Sequence, residues 1–140
     1  MTENNSYALW IIPEDAAYTL TDGYIARLSQ VYDLPKFKPH VTVLAGIPDP
    51  ATVALHDLAR SLPLFRIRLS SQPEYLDERF RCLFLKAYET PKLMETFSKI
   101  SQLFGYEGPP YFPHLSLAYG DLPVETKREI IQTLGDIPGI

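Results

Sequence analysis

The chain has little cysteine, no long hydrophobic run and no surplus of basic residues. Its one cysteine, Cys82, excludes an internal disulfide and any metal site built from several thiolates, and its apolar neighbours predict a core position. No apolar run approaches the ~20 residues that a membrane-spanning helix needs. The polar, acidic amino terminus lacks the pattern of a secretory signal or transit peptide, so the sequence favours the cytoplasm.

The charge balance limits the kinds of partner that the chain suits. Thirteen Lys and Arg residues stand against 17 Asp and Glu residues, which gives a net charge of −4. Binding along a nucleic-acid backbone releases counterions and needs a large basic surface, so this composition argues against a DNA-binding protein. A small phosphate-bearing ligand held by a few placed groups remains compatible with it. No cluster of carboxylates and histidines suggests a metal, and no cofactor is expected.

The composition is typical of one globular domain over residues 1–140, with 46% hydrophobic and 21% charged residues. Apolar and alternating runs predict strands over 7–12, 40–45, 64–70, 82–88 and 114–119. Helical periodicity predicts helices over 13–30, from Asp49-Pro50 onward, over 91–104 and over 121–134. In the first helix the expected buried face consists of Ala17, Leu20, Tyr24, Leu28 and Val31.

An internal repeat organises these elements. The stretch PHVTVLAG, which contains His40, recurs as PHLSLAYG, which contains His114, 74 positions later. Trp10 lies 30 positions before the first histidine, and Phe84 lies 30 positions before the second. Such a duplication predicts two β-α-β-α-β lobes, about 7–80 and 81–140, related by a pseudo-twofold axis around a central cleft. The second half lacks a counterpart of strand 64–70, so we expect its sheet to be incomplete.

The repeated motif pairs an imidazole with a hydroxyl. Residues i and i+2 of a strand share a face, so His40 lies beside Thr42 and His114 lies beside Ser116. Two histidines on opposite sides of a phosphodiester can supply the base and the acid of hydrolysis, and the hydroxyls can hold the phosphate oxygens. A lone His-x-Thr is most often structural, but two in register within matching halves favour a paired site. The third histidine, His56, has no hydroxyl partner and is expected at the surface.

These residues resemble the 2H phosphoesterase superfamily and, within it, the cyclic phosphodiesterases of plants and yeast. The resemblance rests on YALWIIP, PHVTVLAG and PYFPHLSLAYGDL and runs over nearly the whole chain. It implies the two-lobed α+β fold of that superfamily. It also implies opening of ADP-ribose 1″,2″-cyclic phosphate or of nucleoside 2′,3′-cyclic phosphates to 2′-phosphates, with no metal and no cofactor. Relatives in this branch commonly continue beyond the last helix, so we expect a monomer or an edge-paired homodimer.

The resemblance also implies roles for single residues. His40 and His114 are the acid–base pair, with His114 usually taken as the base, and Thr42 and Ser116 bind the phosphate. Tyr119 matches a tyrosine near the phosphate, although the strand must twist or bulge for it to reach the site, and a rim or core position is the alternative. Trp10 and Phe84 either stack on a base or pack in the core.

Two other functions remain open at this point. An RNA-end-processing enzyme, such as a 2′–5′ RNA ligase-like protein or an exonuclease, would use the same histidines, but Arg66 and Arg68 are the only obvious basic stripe. A non-catalytic module could bind a nucleotide without turning it over. Both histidines and both hydroxyls are present, so the sequence favours the enzyme.

Overall fold

The computed structural model describes residues 6–48, 52–62 and 65–137. Their strands are β1 (Ser6–Ile11), β2 (Val41–Pro48), β3 (Glu74–Tyr75), β4 (Leu83–Lys86) and β5 (His114–Ala118). Their helices are α1 (Asp15–Tyr32), α2 (Thr52–Ser61), α3 (Pro91–Leu103) and α4 (Val124–Leu134). None of these described helices has the length and apolar character needed to span a membrane.

The five strands form one open antiparallel sheet in the order β1-β2-β5-β4-β3. This arrangement confirms the predicted α+β class. The finer prediction of two separate lobes is not confirmed, because the motif strands of the two halves are neighbours within the sheet and pair at Val41 and Leu115. Strands β1 and β3 are the sheet edges within the described residues. Edge pairing between two copies stays a prediction.

The duplication is visible in the pairing register of the sheet. Trp10 pairs with Thr42 in the first half, and Phe84 pairs with Ser116 in the second. Each pair is 74 positions from its counterpart, as are Val41 and Leu115, which pair with each other. Both halves also carry a register shift next to this pair, where the motif strand has one extra residue. The pseudo-twofold relation therefore extends from the sequence to the backbone hydrogen bonds of β2 and β5.

The first helix of each half packs against the motif strand of the other half. Helix α1 contacts β5, and α3 contacts β2. On α3, Ile100 is fully buried with Val43 and Ile47 of β2. On α1, Leu28 joins the larger core cluster that contains Leu115 of β5. Each helix thus packs against the half to which it does not belong, and these contacts hold both histidine motifs in one sheet.

Several predicted elements agree with the structure. Thr90 caps α3, since its hydroxyl accepts a hydrogen bond from the Leu93 backbone N–H, and Cys82 is fully buried. Burial alternates along 65–70 as predicted, although only Leu69 forms a bridge, to Ala87. The predicted helix start at Asp49-Pro50 lies outside the described residues.

The predicted buried face of α1 is partly wrong. The helix buries Thr21, Ile25 and Leu28, whereas Leu20 and Val31 are exposed. Thr21 can be buried because its hydroxyl donates to the Ala17 carbonyl at 2.8 Å, so it leaves no polar group unsatisfied. A hydrophobicity pattern treats threonine as polar, so the predicted buried face of α1 excludes Thr21 and is centred on the wrong side of the helix.

Candidate active site

The two motifs lie side by side on one face of the sheet. The four motif residues are His40, Thr42, His114 and Ser116. The antiparallel pair Val41–Leu115, continued by one residue in each direction, sets His40 opposite Ser116 and Thr42 opposite His114. Directly opposed side chains share a face, with Cβ atoms about 5 Å apart, and diagonal neighbours are roughly 7–8 Å apart. The two imidazoles are the diagonal pair, a separation that suits one phosphate between them.

Both imidazoles are oriented by the same backbone contact. Nδ1 of His40 lies 2.6 Å from the Lys38 carbonyl oxygen, and Nδ1 of His114 lies 2.7 Å from the Phe112 carbonyl oxygen. A carbonyl oxygen only accepts, so Nδ1 must carry the proton in each ring. Nε2 is therefore the nitrogen that gains or loses a proton, which is the requirement for acid–base work.

Burial sets the protonation of both rings. Desolvation lowers the pKa of His40 from its ordinary value, with the Lys38 carbonyl opposing this effect. Desolvation also lowers the pKa of His114, where the positive charges of Arg81 and His40 act in the same direction and the Phe112 carbonyl opposes it. Because the charge of one ring disfavours that of the other, protonation of a single imidazole is preferred to protonation of both.

These lowered pKa values predict a loss of stability in acid. The folded state binds protons less readily than the unfolded chain, whose histidines titrate near pH 6.5. The contribution of both histidines to the free energy of unfolding is therefore complete above about pH 6.5. It is lost as the pH falls through their lower folded-state pKa values. We expect urea denaturation to give a smaller free energy of unfolding at pH 5.5 than at pH 7.5. A His40→Asn/His114→Asn double variant should lose less over the same interval, and identical losses would contradict this assignment.

Tyr119 reaches the site from the end of β5. Its hydroxyl lies 3.5 Å from Nε2 of His40, and its ring stacks on Phe37 at 4.0 Å and meets Phe80 edge-on. The register shift in β5 between Ser116 and Ala118 supplies the bulge that the sequence required of this strand. Burial raises the pKa of Tyr119, against the opposing effect of the Ser116 hydroxyl. The phenol thus stays neutral and able to donate a hydrogen bond.

The two symmetry-related aromatics have different surroundings. Trp10 stacks on His40, with ring centroids 3.7 Å apart and planes 13° from parallel, and it is 43% exposed. Phe84 is 1% exposed and meets His114 and Phe112 edge-on. Its burial favours core packing, one of the two alternatives predicted for Phe84, over stacking on a base.

The stack of Trp10 on His40 predicts a positioning role. Replacing Trp10 with leucine removes the flat surface that holds the imidazole plane, and we expect kcat to fall about tenfold with a smaller change in KM. Trp10→Phe keeps an aromatic surface and should restore most of the rate. A rise in KM alone, with kcat unchanged, would show that the indole acts only by contacting the ligand.

Sequence reasoning missed the segment between β3 and β4, which lies over one end of the site. The Ser116 hydroxyl donates to the Phe80 carbonyl at 3.3 Å, and the charge of Arg81 acts on His114. Phe37, which stacks on Tyr119, was also missed. None of these residues belongs to a recognisable motif. The sequence of a turn that mixes polar and apolar residues does not indicate which part of the fold the turn contacts. His56 is exposed, as predicted.

A sizeable apolar cavity of the structure does not contain the two motif histidines. It has a volume of about 720 Å³, and its lining includes Trp10, Val43 and Leu115 but neither His40 nor His114. Within residues 6–48, 52–62 and 65–137, no group of three or more His, Cys, Asp or Glu side chains is arranged to hold a metal ion. The motif site is therefore recognised by the arrangement of its side chains rather than by its size.

Comparison with known proteins finds similarity to a plant protein. The chain is 28% identical over 129 residues to a protein named cyclic phosphodiesterase from Arabidopsis thaliana, and the match covers 87% of this chain and 69% of that protein. Any continuous stretch of that coverage includes both histidine motifs. No family model matches the chain.

Proposed function

We propose that this protein hydrolyses a cyclic phosphodiester, with His40 and His114 exchanging the protons and no metal taking part. The observation that carries the proposal is the pairing of Val41 with Leu115, from which the side-by-side arrangement of both motifs follows. The similarity to a protein named cyclic phosphodiesterase supports cyclic phosphodiester hydrolysis in general. The substrate and the two-histidine mechanism are our inference.

The protons move through the Nε2 atoms. One neutral imidazole takes a proton from water at Nε2 as the water oxygen attacks phosphorus. The other ring, protonated at Nε2, gives its proton to the alkoxide oxygen as the ring P–O bond breaks. Each such transfer contributes about 10²–10⁴-fold to the rate. The hydrogen bonds from Nδ1 to the Lys38 and Phe112 carbonyls keep both rings in the required tautomer.

The surroundings of the two rings support a division of roles. The guanidinium of Arg81 opposes a positive charge on His114, which favours the neutral ring and therefore the base. His40 lies against the indole of Trp10, whose negative face attracts a cation, which favours the protonated ring and therefore the acid. We assign the base to His114 and the acid to His40.

The hydroxyl groups bind the phosphate in this proposal. Thr42 and Ser116 lie on the same face as the histidines and can donate to the non-bridging oxygens. The Tyr119 phenol, 3.5 Å from Nε2 of His40, is close enough to donate to the same group or to the departing oxygen. These donors stabilise the charge that develops on the phosphoryl oxygens during attack.

A substrate panel tests the proposal. ADP-ribose 1″,2″-cyclic phosphate, each nucleoside 2′,3′-cyclic phosphate, 3′,5′-cyclic AMP and a short RNA with a 2′,3′-cyclic end are incubated with the protein in excess chelator. We expect turnover of the small 2′,3′- or 1″,2″-cyclic phosphates and no effect of the chelator. Preference for the RNA would indicate an RNA-end enzyme instead. Tight binding of a cyclic nucleotide without turnover would indicate a binding module.

A further inference from the structure

The two ends of the site differ in charge. Lys86 of β4 pairs directly with His114, so its exposed side chain lies on the same face as the motif residues. The counterpart of Lys86 in the first half, 74 positions earlier, is Ile12, which is exposed and uncharged. The position paired with His114 therefore carries a cation, whereas the equivalent sequence position of the first half carries an apolar residue.

A second cation converges on the same place. Nζ of Lys86 lies 5.7 Å from the centre of the Phe112 ring, and Cζ of Arg81 lies 5.2 Å from it. The ring itself is 5.2 Å from the imidazole of His114. Cation–π attraction thus holds two positive side chains around one aromatic ring next to the reacting group. We call Arg81, Lys86 and Phe112 the basic corner.

The positive charge of the basic corner is only partly neutralised. Arg81 donates two hydrogen bonds to the carboxylate of Glu78, at 2.6 and 2.9 Å. Lys86 forms no ion pair with any described residue. Two like charges near one ring repel each other, and among the described residues Glu78 is the only carboxylate that forms an ion pair with either of them. This imbalance suits an anionic partner from outside the chain.

We propose that the basic corner binds a second phosphate of the substrate, one that is not hydrolysed, with Lys86 as its principal contact. The inference rests on the proposed function, since it takes the scissile phosphate to lie between the histidines. A substrate that carries one phosphate there and another beyond His114 reaches both groups at once. Lys86 acts as a point charge toward a phosphate, and Arg81 remains held by Glu78.

A matched pair of substrates tests the basic corner. Adenosine 2′,3′-cyclic phosphate and its 5′-phosphorylated form differ only in the second phosphate. We expect kcat/KM to be about tenfold higher for the 5′-phosphorylated form at low salt, with the preference shrinking as salt is added. Lys86→Gln should reduce the ratio to near one, and Lys86→Arg should retain part of it. Lys99→Gln, which removes an exposed lysine of α3, is the control and should leave the ratio unchanged.

The outcomes separate this inference from the proposed function. Turnover of both substrates at equal kcat/KM in the unaltered protein would overturn the second-phosphate site and leave the hydrolysis intact. An equal loss on both substrates in Lys86→Gln would assign the lysine a structural role and also overturn it. If neither substrate is hydrolysed, the proposed function fails. Equilibrium binding of the pair to the unaltered protein and to Lys86→Gln then decides the site, with equal affinities counting against it.

Discussion

Replacing either His40 or His114 with alanine is expected to reduce kcat for a small cyclic phosphate by about 10³-fold. In the proposed mechanism each imidazole transfers one proton at Nε2, and alanine leaves no group at that position to donate or accept it. Steady-state kinetics at saturating substrate measures the loss. KM should change much less, because the hydroxyl groups that we propose to bind the phosphate are untouched.

The double variant and a surface control sharpen this prediction. His40→Ala/His114→Ala should be no slower than the worse single variant, since base and acid act as a unit. His56→Ala removes an exposed histidine from α2 and should retain full activity. Circular dichroism establishes that each variant is folded. A loss of only a few-fold in a folded single variant would contradict a catalytic role for that histidine.

The proximity of the two histidine motifs could be predicted from sequence because a duplication leaves two copies of the same pattern. One His-x-Thr motif alone does not indicate a site. A second copy 74 positions later shows that Val41 and Leu115 occupy equivalent positions in the two halves. Two equivalent strands that pair across a pseudo-twofold axis must bring their matching residues together. The sequence predicted a cleft between two lobes, whereas the direct pairing of β2 with β5 and the place of the extra residue before Tyr119 are seen only in the structure.

The asymmetry of the site could not be predicted in the same way. Trp10 and Phe84 occupy equivalent positions, yet one is stacked and open whereas the other is buried beneath Phe112. The difference arises from tertiary contacts of the β3–β4 segment and of the loop before β5, neither of which has a periodic pattern. A repeat predicts what two halves share, whereas their differences depend on the chain around them.

The charge difference between the two ends has the same origin. The pairing register places Lys86 opposite His114. The short distance between Lys86 and the Phe112 ring depends on the conformation of the loop before β5, which contains Phe112. From sequence alone, an isolated lysine at a strand end is interpreted as a solvated charge. Its position near the site becomes evident only from the structure, where Arg81 and Lys86 lie around the same aromatic ring.

Removing both motif hydroxyls is expected to raise KM strongly and to lower kcat/KM by about 10²–10⁴-fold. A hydrogen bond to a charged oxygen contributes about 1.5–3 kcal/mol, and each 1.4 kcal/mol corresponds to a factor of ten. The test variant is Thr42→Val/Ser116→Ala, with both histidines in place. Thr133→Val, on the exposed side of α4, is the control and should be neutral.

The single variants should differ, because the two hydroxyls are not equally available. The Ser116 hydroxyl already donates to the Phe80 carbonyl at 3.3 Å and must leave that acceptor to reach a phosphate oxygen. Thr42 pairs with Trp10, and its backbone carbonyl accepts a hydrogen bond from the Tyr111 hydroxyl at 2.7 Å. This bond involves the backbone of Thr42 and holds the strand in place without using the Thr42 hydroxyl. Thr42→Val should therefore lower kcat/KM more than Ser116→Ala. Equal losses would mean that Ser116 gives up its contact with Phe80 at no cost, and a larger loss for Ser116→Ala would move the principal phosphate donor to β5.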